Sequence, residues 1–383
     1  MKAIQLRIGT LRKQKGISQK MLAEEIGVTP QSVSKWETGA ALPDIGLLPE
    51  LAAFFEVSVD EVLGLKPLPN DAYEPSETGL SGYWSERMEY LKRTRSRLWN
   101  EDYFQFLIER VWKIETPVRV LDCGCGYGAV GLQMLPLLPE GSSYTGIDLS
   151  ERLITEAENT SKKMGYPAEW IHDDFITHSF IEKYDLVMCQ CVLRHVDQPF
   201  AFLKKMKEAA QDGGLVIAME LNRETECDSL YIDRLDYGAL CSRKGLRKIW
   251  KTELERQGRD YAVAVRLPHI MKKIGLSHIE SRMNDHVQFV DGDVRDYEKA
   301  VEDLLEINEW NEPLSEADLK ARTDYLINHG MSREEAVGFC QNQQKTGGNV
   351  RLLRENLAYT QLSSMVITYG RKQRLLNSDI KSF

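Results

Sequence analysis

Residues 118–130 read VRVLDCGCGYGAV. A short apolar run ends in an acid at Asp122 and opens into glycines at 124, 126 and 128, with Cys123 and Cys125 between them. Such a run, followed by a glycine turn, begins a strand–loop–helix unit, and glycine at alternate positions lets the backbone approach a ligand closely. Three chemistries are open to this loop: a thiolate metal site, a dinucleotide loop, or a pocket for a ligand without phosphates. Gly124, Gly126 and Ala129 satisfy the dinucleotide spacing G-x-G-x-x-A. An acid at the lip repels pyrophosphate, however, and favours a ligand that carries positive charge.

Downstream, short apolar strands alternate with helices. SYTGID is followed by a helix around Arg152–Met164, then AEWIHDD, YDLVMCQCV, a helix around Pro199–Ala210, and GLVIAMEL. This alternation predicts a parallel, Rossmann-like doubly wound sheet, whose ligands bind outside the C-terminal strand ends. Further acids stand at those ends. Asp148 suits a pair of ribose hydroxyls. Asp174, of the pair Asp173–Asp174, suits an adenine amino group, with the Phe175 backbone N–H meeting a ring nitrogen. S-adenosylmethionine has no phosphate and carries an ammonium and a sulfonium, so it meets these requirements.

In order, VLDCGCGYG, GIDLS, HDDF, YDLVMCQCVLRHV and GGLVIAMEL resemble the successive motifs of class I S-adenosylmethionine-dependent methyltransferases. The resemblance covers about residues 118–221, and SSMVITYGRK resembles the last strand of that fold. It implies an α/β, Rossmann-like seven-stranded domain that binds S-adenosyl-L-methionine and releases S-adenosyl-L-homocysteine. Carried onto this chain, it implies cofactor contacts at Asp122, Gly124, Cys125, Gly126, Gly128, Asp148, Leu149, Asp173, Asp174, Phe175, Cys189 and Gln190. The segment EYLKRTRSRLWNEDY resembles the lead helices that fold over the cofactor in some small-molecule members, and this adds Tyr83 and Arg93. The other basic residues of that segment read as a solvated helix face.

Methyl transfer is an in-line displacement, in which positioning and desolvation supply much of the acceleration. A base is needed only for a protonated nucleophile; His195 and Glu220 are the candidates, and His195 also resembles a position that orders its loop. After the fourth strand the chain reads CQCVLR. The Asn/Asp-Pro-Pro-aromatic grip of amino-methylating nucleic-acid enzymes is missing there, and no Pro-Cys nucleophile is present, which favours a small-molecule acceptor. Cys123-x-Cys125 and Cys189-x-Cys191 fall at the ends of neighbouring strands, where four thiolates could meet a metal. The loop must hold ligand, though, and cysteine packs as a small hydrophobe, so no metal is expected.

The N-terminal sixty-five residues are of another kind. Ser18 caps one helix, Gly27 suits a tight turn, and Thr29-Pro30 opens a second helix that ends near Gly39. Ile4–Gly64 resembles the Cro- and lambda-repressor-like (XRE) helix-turn-helix family, notably at Gln19, Ala23, Gly27, Val33 and SKWETG. The resemblance implies double-stranded DNA binding through Gln19, Gln31, Ser32, Ser34 and Lys35, as a homodimer on a palindromic site. Residues 1–40 carry seven basic against three acidic side chains, a basic front on a chain of net charge −9.

The 383 residues, 42% hydrophobic and 28% charged, are ordinary globular composition with no apolar run near the ~20 residues of a membrane span. A cytoplasmic protein with seven reduced thiols is expected. The expected order is an all-α DNA-binding domain (1–65), a linker (66–82), lead helices (83–117), the cofactor-binding core (118–221), and a helical substrate cap with the last strands (222–383). Two other functions stay open: a regulator that uses the methyltransferase fold to sense its cofactor or a metabolite, and a nucleic-acid methyltransferase.

Overall fold

The computed structural model describes residues 6–63, 84, 87–95, 97–100, 102–166, 168–196, 198–241, 245–257 and 259–373. The linker and Tyr83 lie outside the described residues. The chain divides into two units, Met1–Glu74 with Glu255–Gln257, and Pro75–Leu254 with Gly258–Phe383.

In the first unit, helices Ile8–Gln14, Gln19–Ile26, Pro30–Glu37, Leu48–Phe55 and Val59–Val62 follow one another. The Ser18 hydroxyl accepts from Met21 N–H and the Thr29 hydroxyl from Ser32 N–H, so both central helices are capped by their own preceding residue. Gly27 ends the first of them at φ 71°, the left-handed turn that glycine adopts without a Cβ penalty. Ile8, Leu22, Ala23, Val33, Trp36 and Leu51 turn inward into one small core.

The second unit is built on a seven-stranded sheet. Its strands are β1 (Arg119–Cys123), β2 (Ser143–Asp148), β3 (Ala168–His172), β4 (Tyr184–Gln190), β5 (Ala210–Leu221), β7 (Leu276–Met283) and β10 (Met365–Lys372), in the order β3-β2-β1-β4-β5-β10-β7. Strands β1 to β5 run parallel, and β10 is inserted antiparallel to both neighbours. SSMVITYGRK is that antiparallel strand, paired from Met365 against Leu221 to Arg371 against Leu215.

Side chains alternate across the sheet. Val120, Leu186, Met188 and Ile217 pack on one face with Leu107, Ile108 and Met134, while Leu121, Val187 and Val216 pack on the other with Phe202, Leu203 and Leu267. β1 has β2 on one side and β4 on the other, so the winding reverses there, and a crevice opens at the C-terminal strand ends.

Three details differ from expectation. The helix after the glycine loop is α-helical only over Ala129–Met134, and continues as a 3-10 turn over Leu135–Leu137, where Pro136 withholds a backbone donor. The lead segment forms Met88–Arg95 and Tyr103–Phe106, the latter running into a π-helical stretch Leu107–Trp112. The cap is not wholly helical. β6 (Leu230–Ile232), β8 (Val287–Val290) and β9 (Tyr359–Leu362) form a second, antiparallel sheet, with helices Tyr297–Ile307 and Arg333–Leu352 among its companions. Strands of three or four residues, drawn from distant parts of the chain, leave almost no periodicity to read.

Candidate active site

Gly124, Gly126 and Gly128 take φ of 76°, 56° and 81°, all in the left-handed region. They are bare for different reasons. A Cβ on Gly124 would lie 2.7 Å from Val192 Cγ2 and one on Gly128 2.4 Å from Trp170 Cη2, whereas one on Gly126 would meet nothing within 4 Å. The outer two glycines let the protein close on itself, and the middle one leaves open space over the loop. Asp148 stands beside it at the end of β2. Its Oδ2 accepts from Gly126 N–H at 2.8 Å and its Oδ1 from Ser150 N–H at 2.9 Å, which fixes the carboxylate with lone pairs to spare. Leu149, 49% exposed, offers an apolar side chain next to it.

Asp122 is placed differently from expectation. It is only 2% exposed, beneath the loop and not on its lip, and its Oδ2 accepts from the Tyr144 hydroxyl at 2.6 Å. Burial pushes its carboxyl up to about 7, against the pull of the Tyr144 hydrogen bond. Its Oδ1 has no partner among the described residues, and neither has Gln190 Nε2 at the end of β4. Buried polar atoms of this kind are costly unless something completes them. Open space over Gly126, an anchored acceptor at Asp148, and two unpartnered polar atoms beside the loop fit a ligand bearing hydroxyls and an ammonium. S-adenosylmethionine is such a ligand.

At the end of β3, Asp173 is exposed and turned to His178, with Oδ2 2.7 Å from Nδ1, which holds its carboxyl below the usual range. Asp174 is half-buried, with Oδ1 accepting from Ile176 N–H. Phe175 packs its ring on Phe202.

The cysteines are free thiols. Cys123 and Cys189 point into the same face of the sheet, so the Cys189 side chain belongs to the core and not to a ligand. Cys191 takes φ 54° and joins the core on the opposite face, so a four-thiolate arrangement does not form. Cys125 is buried beneath the loop, its backbone N–H bonded to Ile147 O. Alternation along a strand does not survive the left-handed turns at Gly124 and Cys191. Among the described residues no group of His, Cys, Asp and Glu is arranged to hold a metal ion.

Of the candidate bases, Glu220 is completely buried, and its Oε1 accepts from the backbone N–H of Val192 at 2.8 Å and of Leu193 at 2.6 Å. Its Oε1 thus holds the turn after β4, a positioning role, while its Oε2 has no partner among the described residues. His195 lies on that turn, against the Trp84 ring. Arginine only donates, so the 3.0 Å bond from Arg194 Nε makes His195 Nε2 the acceptor and puts the ring proton on Nδ1. Burial, then Arg194, Arg259 and Arg95, hold this imidazole well below its ordinary range, so it is neutral. Its one lone pair is already engaged.

The lead segment lies over the loop. Met88, Leu91 and Trp84 pack with Tyr127 of the glycine loop and Leu153, and the Trp84 ring meets His195 edge-on at 5.0 Å. Lys92 bonds Glu156 at 2.8 Å on the helix that follows β2. Arg93, expected at the cofactor, instead pairs with Asp303 and Glu306 of helix Tyr297–Ile307, and Arg97 bonds the same Asp303 at 2.6 Å. Sequence reasoning missed Arg95, whose charge acts on Tyr127 and Cys191 and so stands at the cleft. Helical spacing was the available signal: residues 93 and 97 share a face, and 95 points away from it.

Within the first unit, Gln31 and Lys35 are exposed on one face of helix Pro30–Glu37, and Ser34 is half-buried. Ser32 shares a hydroxyl contact of 2.9 Å with Thr29. Gln19 donates its amide to Glu37 at 2.8 Å, and Glu37 is gripped through both oxygens by Arg12, at 2.5 and 3.1 Å. Its NH2 is therefore spent inside the unit.

Comparison with known proteins agrees with this geometry. Residues 8–62 match the family model Helix-turn-helix, and residues 114–258 match the family model Methyltransferase domain. The second unit thus has the class I methyltransferase fold of the S-adenosylmethionine-dependent enzymes. The chain joins that domain to a helix-turn-helix segment of the XRE type. A ubiquinone biosynthesis O-methyltransferase of Proteus mirabilis is 27% identical over 121 residues, 31% of this chain and 48% of the relative. One of Hydrogenovibrio crunogenus is 35% identical over 108 residues, 27% of this chain and 43% of the relative. The chain thus spans about half the length of the curated relatives it matches. The solved Haemonchus contortus phosphoethanolamine N-methyltransferase 2, in complex with phosphomonomethylethanolamine and S-adenosylhomocysteine, is similar over 77% of this chain and 58% of its own, at 14% identity and a TM-score of 0.43.

Proposed function

We propose that the second unit transfers a methyl group from S-adenosylmethionine to a small molecule, and that the helix-turn-helix segment binds double-stranded DNA as a homodimer in the cytoplasm. The observation that carries the first part is the contrast within the glycine loop. Only Gly126 is bare toward open space, and Asp148 is pinned beside it by the same residue's N–H.

The bound cofactor supplies an electrophilic methyl on a sulfonium. The chain's own residues do the rest. Asp148 accepts the ribose hydroxyls, Asp174 and the Phe175 N–H hold the adenine, and Gln190 donates toward the cofactor's polar end. Trp84 and the helix Met88–Arg95 cover the cleft and exclude water, which strengthens each polar contact beneath them. His195 orients the acceptor through Nδ1–H, and Glu220 keeps the turn that carries His195 in place. On the DNA side, the exposed Gln31 and Lys35, with the half-buried Ser34, meet base edges and phosphates.

One observation favours a second reading, a regulator that senses its cofactor. Neither candidate base is placed to take a proton from an acceptor, since Glu220 is completely buried and the His195 lone pair is bonded. Turnover decides between the two. Full-length protein is incubated with S-adenosylmethionine bearing a labelled methyl group and, separately, a small-molecule extract, genomic DNA and total RNA. Label in a small molecule is expected; tight cofactor binding without any label favours the sensor, and label in nucleic acid overturns both. Gln31→Ala with Lys35→Ala is expected to abolish retention on genomic DNA while leaving S-adenosylhomocysteine affinity unchanged.

A further inference from the structure

Four guanidinium groups gather where the turn after β4 meets the chain following β5. Arg194 bonds His195, and its own surroundings include Cys191, Glu226 and Glu220. Arg223 pairs with Glu226 at 2.8 Å, and its backbone N–H donates to Tyr261 O at 3.2 Å, which brings the Arg259–Tyr261 segment alongside. Arg259 and Arg95 both act on His195. The Arg223 side chain is 45% accessible although ringed by protein, as expected for the wall of a cleft open to water.

The charges do not balance. Against Arg95, Arg194, Arg223 and Arg259 stand Glu226, which Arg223 uses, Glu253, buried beside Tyr261 with its Oε1 accepting from the Tyr325 hydroxyl at 2.9 Å, and Glu220, whose burial pushes its carboxyl up to about 7. Neither Arg95 nor Arg259 has a hydrogen bond or ion pair among the described residues, and Arg194 has only the bond to His195. The cofactor does not make up the deficit. Its one carboxylate is matched by an ammonium and accompanied by a sulfonium, so it adds positive charge to an already positive site. Arg95, beside Tyr127 of the glycine loop, suits that carboxylate. Arg194 and Arg259 remain.

We propose that the methyl acceptor carries an oxyanion, a carboxylate or a phosphate, which Arg194 and Arg259 hold beside His195. The inference rests on the methyltransferase reading and names its substrate class. A guanidinium fork matches both oxyanions bidentately. Such an anchor also places the acceptor atom. With its anionic end fixed at the arginines, the acceptor extends past His195 Nδ1–H toward the open space over Gly126, which is the order an in-line transfer needs.

The test uses the full-length protein saturated with S-adenosylhomocysteine in a low-chloride buffer. It is titrated calorimetrically with sodium phosphate in one arm and sodium acetate in the other. Binding of at least one anion is expected, and the tighter of the two identifies the oxyanion. Arg259→Gln should weaken it by about tenfold or more while leaving S-adenosylhomocysteine affinity within about twofold, and Arg259→Lys should restore part of the loss. An unchanged melting temperature for Arg259→Gln separates loss of the site from loss of the fold. Normal S-adenosylhomocysteine binding with no anion binding, or with anion binding equal in all three proteins, overturns the proposal. Failure to bind S-adenosylhomocysteine at all instead overturns the methyltransferase reading, and the anion site with it.

Discussion

Gly126→Ala separates a glycine that serves a ligand from one that serves the fold. At φ 56° an alanine is in the left-handed region, which costs roughly 1–2 kcal/mol for a residue with a Cβ. No clash adds to this, because the new methyl meets nothing within 4 Å. A domain of this size loses about 2–4 °C of melting temperature per kcal/mol, so the variant should melt only roughly 2–8 °C lower. On the proposed reading, the methyl nonetheless occupies the open space in which the cofactor approaches the backbone. Pushing a ligand back by even part of an ångström forfeits several dispersion contacts and misplaces its hydrogen bonds, for a loss of about 1.4 kcal/mol or more, a tenfold weaker Kd.

Gly128→Ala is the contrasting case. Its Cβ would sit 2.4 Å from Trp170 Cη2 at φ 81°, so overpacking adds roughly 1–3 kcal/mol to the backbone cost, and stability falls more than for Gly126→Ala. Calorimetric titration with S-adenosylhomocysteine and thermal melts of both variants measure the two effects. The reasoning is refuted if Gly126→Ala binds S-adenosylhomocysteine within twofold of the parent.

Two further outcomes follow from buried charges. Glu220 is raised from its ordinary 4.5 to about 7 by burial, against the Leu193 N–H, Arg194 and the Val192 N–H. A carboxyl raised in the folded state stabilises the fold fully below its unfolded value, and that contribution is lost as pH rises through the folded value; here it is on the order of 3 kcal/mol between pH 4.5 and 7. Glu220→Gln keeps an acceptor for both N–H groups and does not titrate, so its stability relative to the parent should climb from pH 5 to pH 8 in urea melts, and a flat difference would sink the assignment. Asp303→Asn leaves the Arg97 guanidinium, 14% accessible, without its counter-charge. The expected cost is about 2–4 kcal/mol, or roughly 5–10 °C in a thermal melt, and a shift under 2 °C would contradict it.

How far the sequence carries the structure depends on how local each cause is. The order of β1 to β5, the acid at 148 and the glycine loop are local: apolar runs, turn residues and strand ends all lie within a few positions of one another. So are the caps at Ser18 and Thr29. Asp122 and Glu220 look equivalent to Asp148 in the chain, as acids at strand ends, yet they are buried under the loop and behind the turn, and only tertiary packing distinguishes them. The cysteine pairs mislead because a left-handed residue at each strand end resets the alternation. Arg93 and Arg95 are two positions apart; the resemblance puts Arg93 at the cofactor and leaves Arg95 on a solvated face, while the fold sends Arg93 to Asp303 and Arg95 toward Tyr127. The clustered arginines come from three separate segments, Arg95 on the lead helix, Arg194 on the turn after β4, and Arg223 with Arg259 after β5, so no spacing rule unites them. A cluster assembled across the chain is visible only once the chain is folded.

The lead helix Met88–Arg95 is fastened on both flanks, by Lys92 to Glu156 on one side and by Arg93 and Arg97 to Asp303 on the other. It is a roof beam resting on two walls. Lifting it breaks ion pairs to both, so on the proposed reading the residence time of a ligand beneath it depends on the core and on helix Tyr297–Ile307 together. Drift in that distant helix is therefore a route by which the tempo of cofactor exchange is retuned while every residue in the cleft stays the same.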